Sequence, residues 1–150
     1  RNTQLLTSHP MASSYKVRKV HIVGDHDKDL SWALDEAIKS SSIILTSGGL
    51  GPTQDDKTKK ILAKFFDLDI NYCSQAKKVV DSNYNRFQKK SDSEKENYSF
   101  VPDGFEALEN LFGLAPGLKY KFGNNELFAH AAICTLRALA APKMRRERKI

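Results

Sequence analysis

Hydrophobic positions in the first half of the chain follow two spacings, one typical of strands and one typical of helices. Apolar residues alternate over 17–23, where Val20 and Ile22 share a face, and this pattern predicts a strand. A β-branched run over 43–46 predicts a second strand, of the short kind that is buried in a parallel sheet. Between them, 27–40 is predicted to be a helix because its apolar residues recur at helical spacing. That stripe consists of Leu30, Ala33, Leu34, Ala37 and Ile38.

Two further helices are predicted in the middle of the chain. One follows the glycine-rich stretch near residue 50 and has a buried apolar face, and the other begins near Ser74, a candidate N-cap residue. The run 91–97 is charged and without periodicity, so we expect it to be a surface loop. The buried face of the first of these helices consists of Ile61, Leu62, Phe65 and Phe66.

Short strands are predicted towards the end of the chain, at 98–101 and 118–122. Residues 123–125 read Gly-Asn-Asn, which is turn chemistry, and they lead into an apolar run at 126–129. This order indicates a hairpin. Strands that alternate with helices along the whole chain indicate an α/β fold built on a parallel sheet.

The glycine-rich stretch after the 43–46 strand carries the candidate chemistry. Gly48, Gly49 and Gly51 allow the backbone to approach an anion and to direct amides at it, and the helix that follows adds its own N–H groups. Asp55 and Asp56 then offer hard oxygen ligands for Mg²⁺ or a similar ion. The alternative is an ordinary strand-to-helix turn with an Asp at the helix N-cap. Spacing alone does not decide between these interpretations.

Four motifs, in order, carry a resemblance to a known family. The run Gly-Gly-Leu-Gly-Pro-Thr-Gln-Asp-Asp-Lys-Thr at 48–58 resembles the signature of the molybdopterin-binding domain family, in its competence/damage-inducible CinA branch. Three other segments resemble the same branch: Val-Gly-Asp at 23–25, Val-Pro-Asp-Gly at 101–104, and Asn110 followed by Gly-Leu-Ala-Pro-Gly at 113–117. The resemblance covers roughly residues 17–122.

The resemblance implies the molybdopterin-binding (MogA/CinA N-domain) type of α/β fold, a three-layer α/β/α sandwich with a mostly parallel sheet. We expect one such domain over residues 1–142, incomplete at its N-terminus, followed by a basic tail at 143–150. Folds of this kind place their ligands at the carboxyl end of a parallel sheet.

The resemblance also implies a set of site residues. Asp56 corresponds to the most widely shared acidic position, so it is predicted to hold a divalent metal, Mg²⁺ or similar, and to act with Asp55 in catalysis. Asp55 is alternatively a capping residue, and Thr58 a first-turn residue of the helix. The residues 113–117 are either a second wall of the cleft or a simple turn. The predicted phosphate- or ligand-binding residues are Thr46, Ser47, Gly48, Gly49, Gly51, Thr53, Thr58, Gly113, Ala115 and Gly117.

Three activities stay open at this point. Proteins of the CinA branch are associated with metal-dependent hydrolysis of ADP-ribose at its pyrophosphate, so hydrolysis of this or a related nucleotide is the first expectation. The second is the binding or adenylylation of a molybdopterin-like ligand, which uses the same loop. The third is an inactive truncated scaffold. In each active case the expected partner is a small-molecule phosphate ester or dinucleotide.

The departures from the family pattern favour the third reading. Relatives open with a strand and an acidic segment that line the pocket, and we expect both to be missing from this sequence. His9-Pro10 interrupts the expected first helix, since proline removes an N–H group. The chain is also expected to diverge from the family after about residue 129.

The charge distribution bears on nucleic-acid binding, and the cysteine content bears on disulfide formation. Of the net charge of +6, four charges lie in 143–149, which holds five cations and one anion, so we do not expect nucleic-acid binding. Cys73 and Cys134 are predicted to be free thiols, with a disulfide left open, and no apolar run is long enough for a membrane span. A cytoplasmic protein is the default.

Trp32 lies off the apolar stripe of its helix, which suggests that it covers an edge or makes a subunit contact. The resemblance implies a dimer or a trimer.

Overall fold

The computed structural model describes residues 16–24 and 26–130. The apolar stripe of the first helix forms α1 (Asp27–Ser40), with Ala33 and Leu34 buried. Its predicted bounds are confirmed, because the apolar periodicity that predicts them lies within a single local segment. The strand after it is β1 (Ile43–Ser47), and the helix after the glycine-rich loop is α2 (Thr58–Phe66). On α2, Ile61 and Leu62 are buried.

The central elements are two short strands on either side of a helix. Strand β2 (Ile70–Tyr72) is followed by α3 (Ser74–Arg86), a 3₁₀ turn (Lys95–Ser99) and β3 (Phe100–Pro102). Strands β2 and β3 pair as an antiparallel ribbon. The N-cap of α3 is Cys73 and not Ser74, because the Cys73 carbonyl already accepts the Lys77 N–H at 3.0 Å and closes the first turn.

The main sheet has the order β1-β6-β5-β4, with β4 (Glu106–Leu108), β5 (Gly117–Phe122) and β6 (Asn125–His130). Strand β1 is parallel to β6, whereas β5 is antiparallel to both β6 and β4. The predicted hairpin is therefore confirmed as β5–β6. The parallel register places Ser47 opposite His130, so β1 and β6 end at the same edge of the sheet.

The predicted strand at 17–23 is wrong, since no strand is assigned there among the described residues. Its apolar side chains are largely outside the core, and Ile22 is 86% exposed. The segment instead lies against α1, through a Lys19–Glu36 ion pair of 3.4 Å and an edge-on contact of His21 with Trp32 at 5.2 Å. Alternating apolar residues make a strand only where a hydrogen-bonding partner is available.

Two other local predictions are corrected. The strand predicted at 98–101 begins two residues later, at Phe100, because residues 98 and 99 belong to the 3₁₀ turn. The last three residues of the predicted loop 91–97 also belong to this 3₁₀ turn. Strands β2 and β4, each of three residues, were not predicted.

The core lies between the sheet and the helices. Leu34, Ile44, Leu62 and Leu127 are each at most 5% exposed and come from α1, β1, α2 and β6. Burying such a side chain contributes about 1.5–3 kcal/mol. No helix in the described ranges combines the length and the apolar character that crossing a membrane requires. The prediction of an α/β fold is confirmed. The described main sheet is mixed, because it contains both parallel and antiparallel strand pairs.

Candidate functional site

The glycine loop that follows β1 is fastened at both of its ends. Gly48 N donates to the His130 carbonyl at 2.9 Å, which ties the start of the loop to the end of β6. Thr58, the first residue of α2, donates its hydroxyl to the Gly48 carbonyl at 2.8 Å and its N–H to the Gly49 carbonyl at 3.1 Å. These bonds occupy the Thr58 hydroxyl, so this side chain supports the loop from behind.

Glycine is required at two positions of this loop. Gly49 has φ +64°, and a Cβ there would collide with the Thr58 hydroxyl oxygen. A Cβ on Gly51 would overlap the Asp56 carboxylate. The absence of side chains therefore lets the loop fold directly onto the start of α2.

Three consecutive backbone donors are left over by this arrangement. The N–H groups of Gly49, Leu50 and Gly51 donate to no acceptor within the described ranges. Buried or half-buried amides are nearly always paired in proteins, and successive amides in such a turn form a concave anion site. The loop therefore carries three consecutive N–H donors without an acceptor among the described residues.

Asp56 is held by Thr53. Its Oδ2 accepts from the Thr53 N–H at 3.2 Å and from the Thr53 hydroxyl at 2.6 Å, while Asp56 N donates to the Thr53 carbonyl at 3.1 Å. This reciprocal pairing resembles a capping box and fixes the carboxylate at the edge of the loop. Asp55, its neighbour, is exposed.

A cleft of about 340 Å³ lies beside the loop. Its lining residues come from three segments: the glycine loop, the 3₁₀ turn and the loop before β5. They are Gly48, Gly49, Leu50, Gly51, Asp56, Tyr98, Leu114 and Ala115. The volume falls within the range of small-molecule sites.

The wall formed by Leu114 and Ala115 is shaped by Asn110, which is fully buried. Asn110 Nδ2 donates to the Ala115 carbonyl at 2.7 Å, and Asn110 Oδ1 accepts from Phe112 N at 3.0 Å. One amide side chain thereby closes the loop from both sides. Within the 113–117 segment, Leu114 and Ala115 therefore contribute to the cleft wall.

Lys59 lies behind the cleft and joins α2 to the 3₁₀ turn. Its ammonium group donates to the carbonyls of Asn97 and Phe100, at 3.1 Å each. Burial lowers the pKa of Lys59 to about 8, against the opposing effect of the nearby Asp56 carboxylate. Burial also raises the pKa of Tyr98, and Asp56 adds to that increase.

We expect the pH dependence of stability to report on Lys59. Between the folded pKa of about 8 and the unfolded value near 10.4, the unfolded chain binds the extra proton, so stability rises with pH in this window. Relative to Lys59→Met, the wild-type free energy of unfolding should rise by about 2 kcal/mol from pH 7 to pH 9.5. Urea unfolding at both pH values measures it. Lys60→Met, at an exposed neighbour, is the control and should show no such change, whereas an equal change in both variants contradicts the assignment.

His130 is the buried end of β6. It is 1% exposed, and neither ring nitrogen has a hydrogen-bond partner in the part of the chain that the structure describes. Burial lowers the pKa of His130 to about 4, so its imidazole is neutral at pH 7. The ring fills the space where a Cβ on Gly117 would lie. Neutral and enclosed, His130 acts as a packing residue beside the site.

The structure brings part of the predicted set together. Gly48, Gly49, Gly51, Asp56 and Ala115 line one cleft. Thr53 and Thr58 do not line it but bond to Asp56 and Gly48, which do. The other five predicted residues are also outside the lining. Those five are Thr46, Ser47, Asp55, Gly113 and Gly117.

Sequence reasoning missed Leu50, Tyr98 and Leu114 as cleft residues, and Lys59 as their neighbour. Leu50 and Leu114 stand inside the two predicted motifs, so proximity to the glycines could have identified them. No local signal marks Tyr98 or Lys59, since the bonds between α2 and the 3₁₀ turn span about forty residues of sequence.

The predicted metal site is not supported by the described residues. They contain no group of three or more His, Cys, Asp or Glu side chains that could hold a metal ion. Among the described residues, Asp56 is the only carboxylate that lines the cleft. The described residues therefore do not fit a resident metal centre. Cys73 is a free thiol, and Cys134 and the basic tail lie outside the described residues.

A family model and a solved structure resemble this chain. A family model described as a probable molybdopterin binding domain matches residues 1–134. The crystal structure of the protein CinA from Thermoplasma acidophilum matches with a TM-score of 0.76 at 23% identity, over 96% of this chain and 85% of that chain. This neighbour shows a shared fold, and its own function is given as unknown.

Sequence relatives belong to the same group. A Caldivirga maquilingensis protein is 30% identical over 115 residues, which cover 77% of this chain and 45% of that protein. A competence-damage inducible protein of Clostridium botulinum (strain Loch Maree / Type A3) is 31% identical over 116 residues, covering 77% and 28%. A CinA-like protein of Kosmotoga olearia is 34% identical over 96 residues, covering 64% and 23%. This chain spans less than half the length of each relative, and it belongs to the molybdopterin-binding domain family, in its CinA-like branch.

Proposed function

We propose that this chain binds the phosphate or pyrophosphate group of a small phosphate ester in the glycine-loop cleft. The observation that carries the proposal is that Gly49, Leu50 and Gly51 line the cleft and that their three consecutive N–H groups donate to no acceptor among the described residues. Phosphate oxygens accept such bonds, and fixed amides hold an anion without the cost of reorganising solvent. The family description makes a molybdopterin-like ligand one class to test, and the sequence resemblance adds a related nucleotide as the other.

Asp56 adds a second element to this site. Its carboxylate lines the same cleft as the amides, so it would repel a phosphate placed directly beside it. Mg²⁺ is usually held by one or two carboxylates together with substrate phosphates, so a cation that arrives with the ligand needs only Asp56. Such a cation would neutralise part of the phosphate charge. The protein's own contribution is to hold the Asp56 carboxylate in place through Thr53.

Hydrolysis of ADP-ribose is the finer form of this proposal. It requires a water molecule directed at a phosphorus atom held by the loop amides. In the part of the chain that the structure describes, Asp56 is the only carboxylate on the cleft wall, and its Oδ2 already accepts from two donors of Thr53. The observations therefore support binding of a phosphate ester more directly than its hydrolysis. The experiment described next distinguishes binding from hydrolysis.

The test is thermal unfolding with pyrophosphate or ADP-ribose, each with Mg²⁺ and with EDTA. A ligand that binds only the folded state at about 100 times its dissociation constant adds about 2.7 kcal/mol, a shift of several degrees. We expect a shift in the wild-type protein that is larger with Mg²⁺. Asp56→Asn, which keeps an acceptor oxygen for Thr53, should lose the Mg²⁺-dependent part.

The matched control is Asp55→Asn, which removes the same charge one residue away at an exposed position outside the cleft lining. It should behave as the wild-type protein does. Equal loss in both variants would indicate a general charge effect, and a cooperative transition that ignores every ligand would overturn the proposal. Chromatographic detection of AMP from ADP-ribose would support hydrolysis, whereas a shift without AMP would leave binding alone.

A further inference from the structure

His130, the last residue of β6, contacts both the glycine loop and the strand that follows a second lining segment of the cleft. Its carbonyl accepts the Gly48 N–H at 2.9 Å, at the start of the glycine loop. Its imidazole ring lies against Gly117, the first residue of β5, and occupies the space that a Cβ on that glycine would need. The second lining segment, Leu114 and Ala115, ends two residues before Gly117. One residue thus connects the two segments.

The pairing of β5 with β6 places this ring. Leu118 and Ala129 are opposite each other in the antiparallel ladder, so Gly117 and His130 are the next opposite positions. A glycine in a strand often marks a place where another group approaches closely, and here that group is the imidazole. Gly117 is buried and His130 is 1% exposed, so neither can move without displacing its neighbours.

A shift of Gly117 would be transmitted to the wall formed by residues 114 and 115. Pro116 separates Gly117 from this wall, and it is buried and restricted in φ by its own ring. The wall is also held from α3, because the fully buried Asn83 donates to the Leu114 carbonyl at 3.3 Å, in addition to the bond from Asn110 described above. The wall is therefore fixed by amide groups and, through Gly117, by the imidazole ring.

The imidazole acts through its shape. Neither of its nitrogens has a hydrogen-bond partner among the described residues, although buried polar atoms are usually paired. A ring that makes no polar bond holds its neighbours by the volume it occupies, and protein interiors are packed closely enough for that volume to matter. The glycine loop is tied instead to the backbone carbonyl of His130, and this bond does not depend on the side chain.

Resting on the proposed phosphate site, we propose that His130 is a positioning residue whose ring sets the spacing between the glycine loop and the wall formed by Leu114 and Ala115. The ring fixes Gly117, which fixes the wall, while the carbonyl of the same residue fixes the loop. A ligand that extends from the loop to the wall depends on this spacing. An anion that binds the loop amides alone does not.

The experiment compares a long probe with a short one by calorimetric titration of the full chain in the presence of Mg²⁺. ADP-ribose is long enough to extend from the loop to the wall, and inorganic pyrophosphate occupies the loop alone. His130→Ala should weaken ADP-ribose binding about tenfold and His130→Val about threefold, within the range by which packed networks modulate binding. Pyrophosphate affinity should stay within about twofold of wild type in both variants. The ratio of the two affinities is the readout, because a general loss of stability would not change it.

His130→Leu tests the role of shape, since leucine has nearly the volume of histidine and none of its nitrogens. It should restore the wild-type ratio. Leu127→Val is the matched control, because Leu127 is fully buried on the same strand and lies outside the cleft lining. Its melting temperature should fall while the ratio stays unchanged. If His130→Ala fails to unfold cooperatively, His130→Val decides the outcome.

The outcomes separate this proposal from the phosphate site. An unchanged ratio in the His130 variants, or an equal loss for both probes, would overturn the positioning role and leave the phosphate site intact. The same loss in His130→Leu as in His130→Ala would overturn the role of shape, and a changed ratio in Leu127→Val would attribute the effect to general loosening of the sheet; either result overturns the proposal. Wild-type protein that binds pyrophosphate but not ADP-ribose would overturn the positioning role alone. Failure to bind either probe would overturn the phosphate site and, with it, this proposal.

Discussion

Gly117→Ala is expected to destabilise the protein by about 3 kcal/mol, the upper end of the range for overpacking a core. A Cβ at this buried position would overlap the imidazole ring of His130, which is 1% exposed. The ring has little room to move, and Gly117 begins β5, whose partner β6 ends at His130. For a chain of this length the melting temperature should fall by about 10 °C in calorimetry.

Two variants test the cause of that effect. Gly24→Ala is the matched control, since a Cβ there would lie 3.6 Å from the nearest atom, in ordinary contact, and its melting temperature should change little. His130→Ala removes the ring, so adding Gly117→Ala to it should cost much less than in the wild-type background. Strict additivity of the two substitutions would show that the Gly117–His130 contact is not the source.

Asn110→Ala is expected to cost about 3 kcal/mol, because two hydrogen bonds are lost and both backbone partners lose the amide group that satisfies them. Asn110 is fully buried, and its amide bridges Phe112 N and the Ala115 carbonyl, at 3.0 and 2.7 Å. The loop that carries Leu114 and Ala115 should loosen at the same time, so ligand affinity should fall along with stability. Urea unfolding measures the first effect and titration with AMP the second.

The control for Asn110 is Asn85→Ala, an exposed position on α3 where alanine has the higher helix propensity. Its free energy of unfolding should be unchanged or slightly higher. Faster amide exchange at Phe112 in Asn110→Ala, with helix amides unaffected, would locate the change in the cleft wall. If Asn110→Ala and Asn85→Ala prove equally stable, the bridging role of Asn110 is wrong.

Sequence reasoning succeeded where the relevant interactions are local. Helix α1 has the predicted bounds, since its stripe and its ends lie within fourteen residues. The β5–β6 hairpin was predictable from turn residues between two apolar runs. The glycine loop was predictable because its tight approach to α2 needs glycine at 49 and 51, and the partner of each lies within nine residues.

Prediction failed where a sequence pattern is compatible with packing against more than one element of the fold. The alternation at 17–23 is compatible with a strand, yet the segment packs on α1 through His21 and Lys19. Strands β2 and β4 are three residues long, too short for a periodic signal, and exist because β3 and β5 pair with them. Residue type does not distinguish the paired aspartates, and the resemblance alone favoured Asp56; the fold places Asp56 at the cleft and leaves Asp55 exposed.

The sequence by itself determined the family, the α/β class, the hairpin and the glycine loop, because each is encoded by neighbouring residues. Tertiary structure alone decided which of these residues share a cleft. Tyr98 and Lys59 enter it through bonds from α2 to the 3₁₀ turn, and Asn110 shapes it by bridging two backbone groups. Such contacts depend on how separate elements pack, and the free energy that selects that packing comes from the shared core.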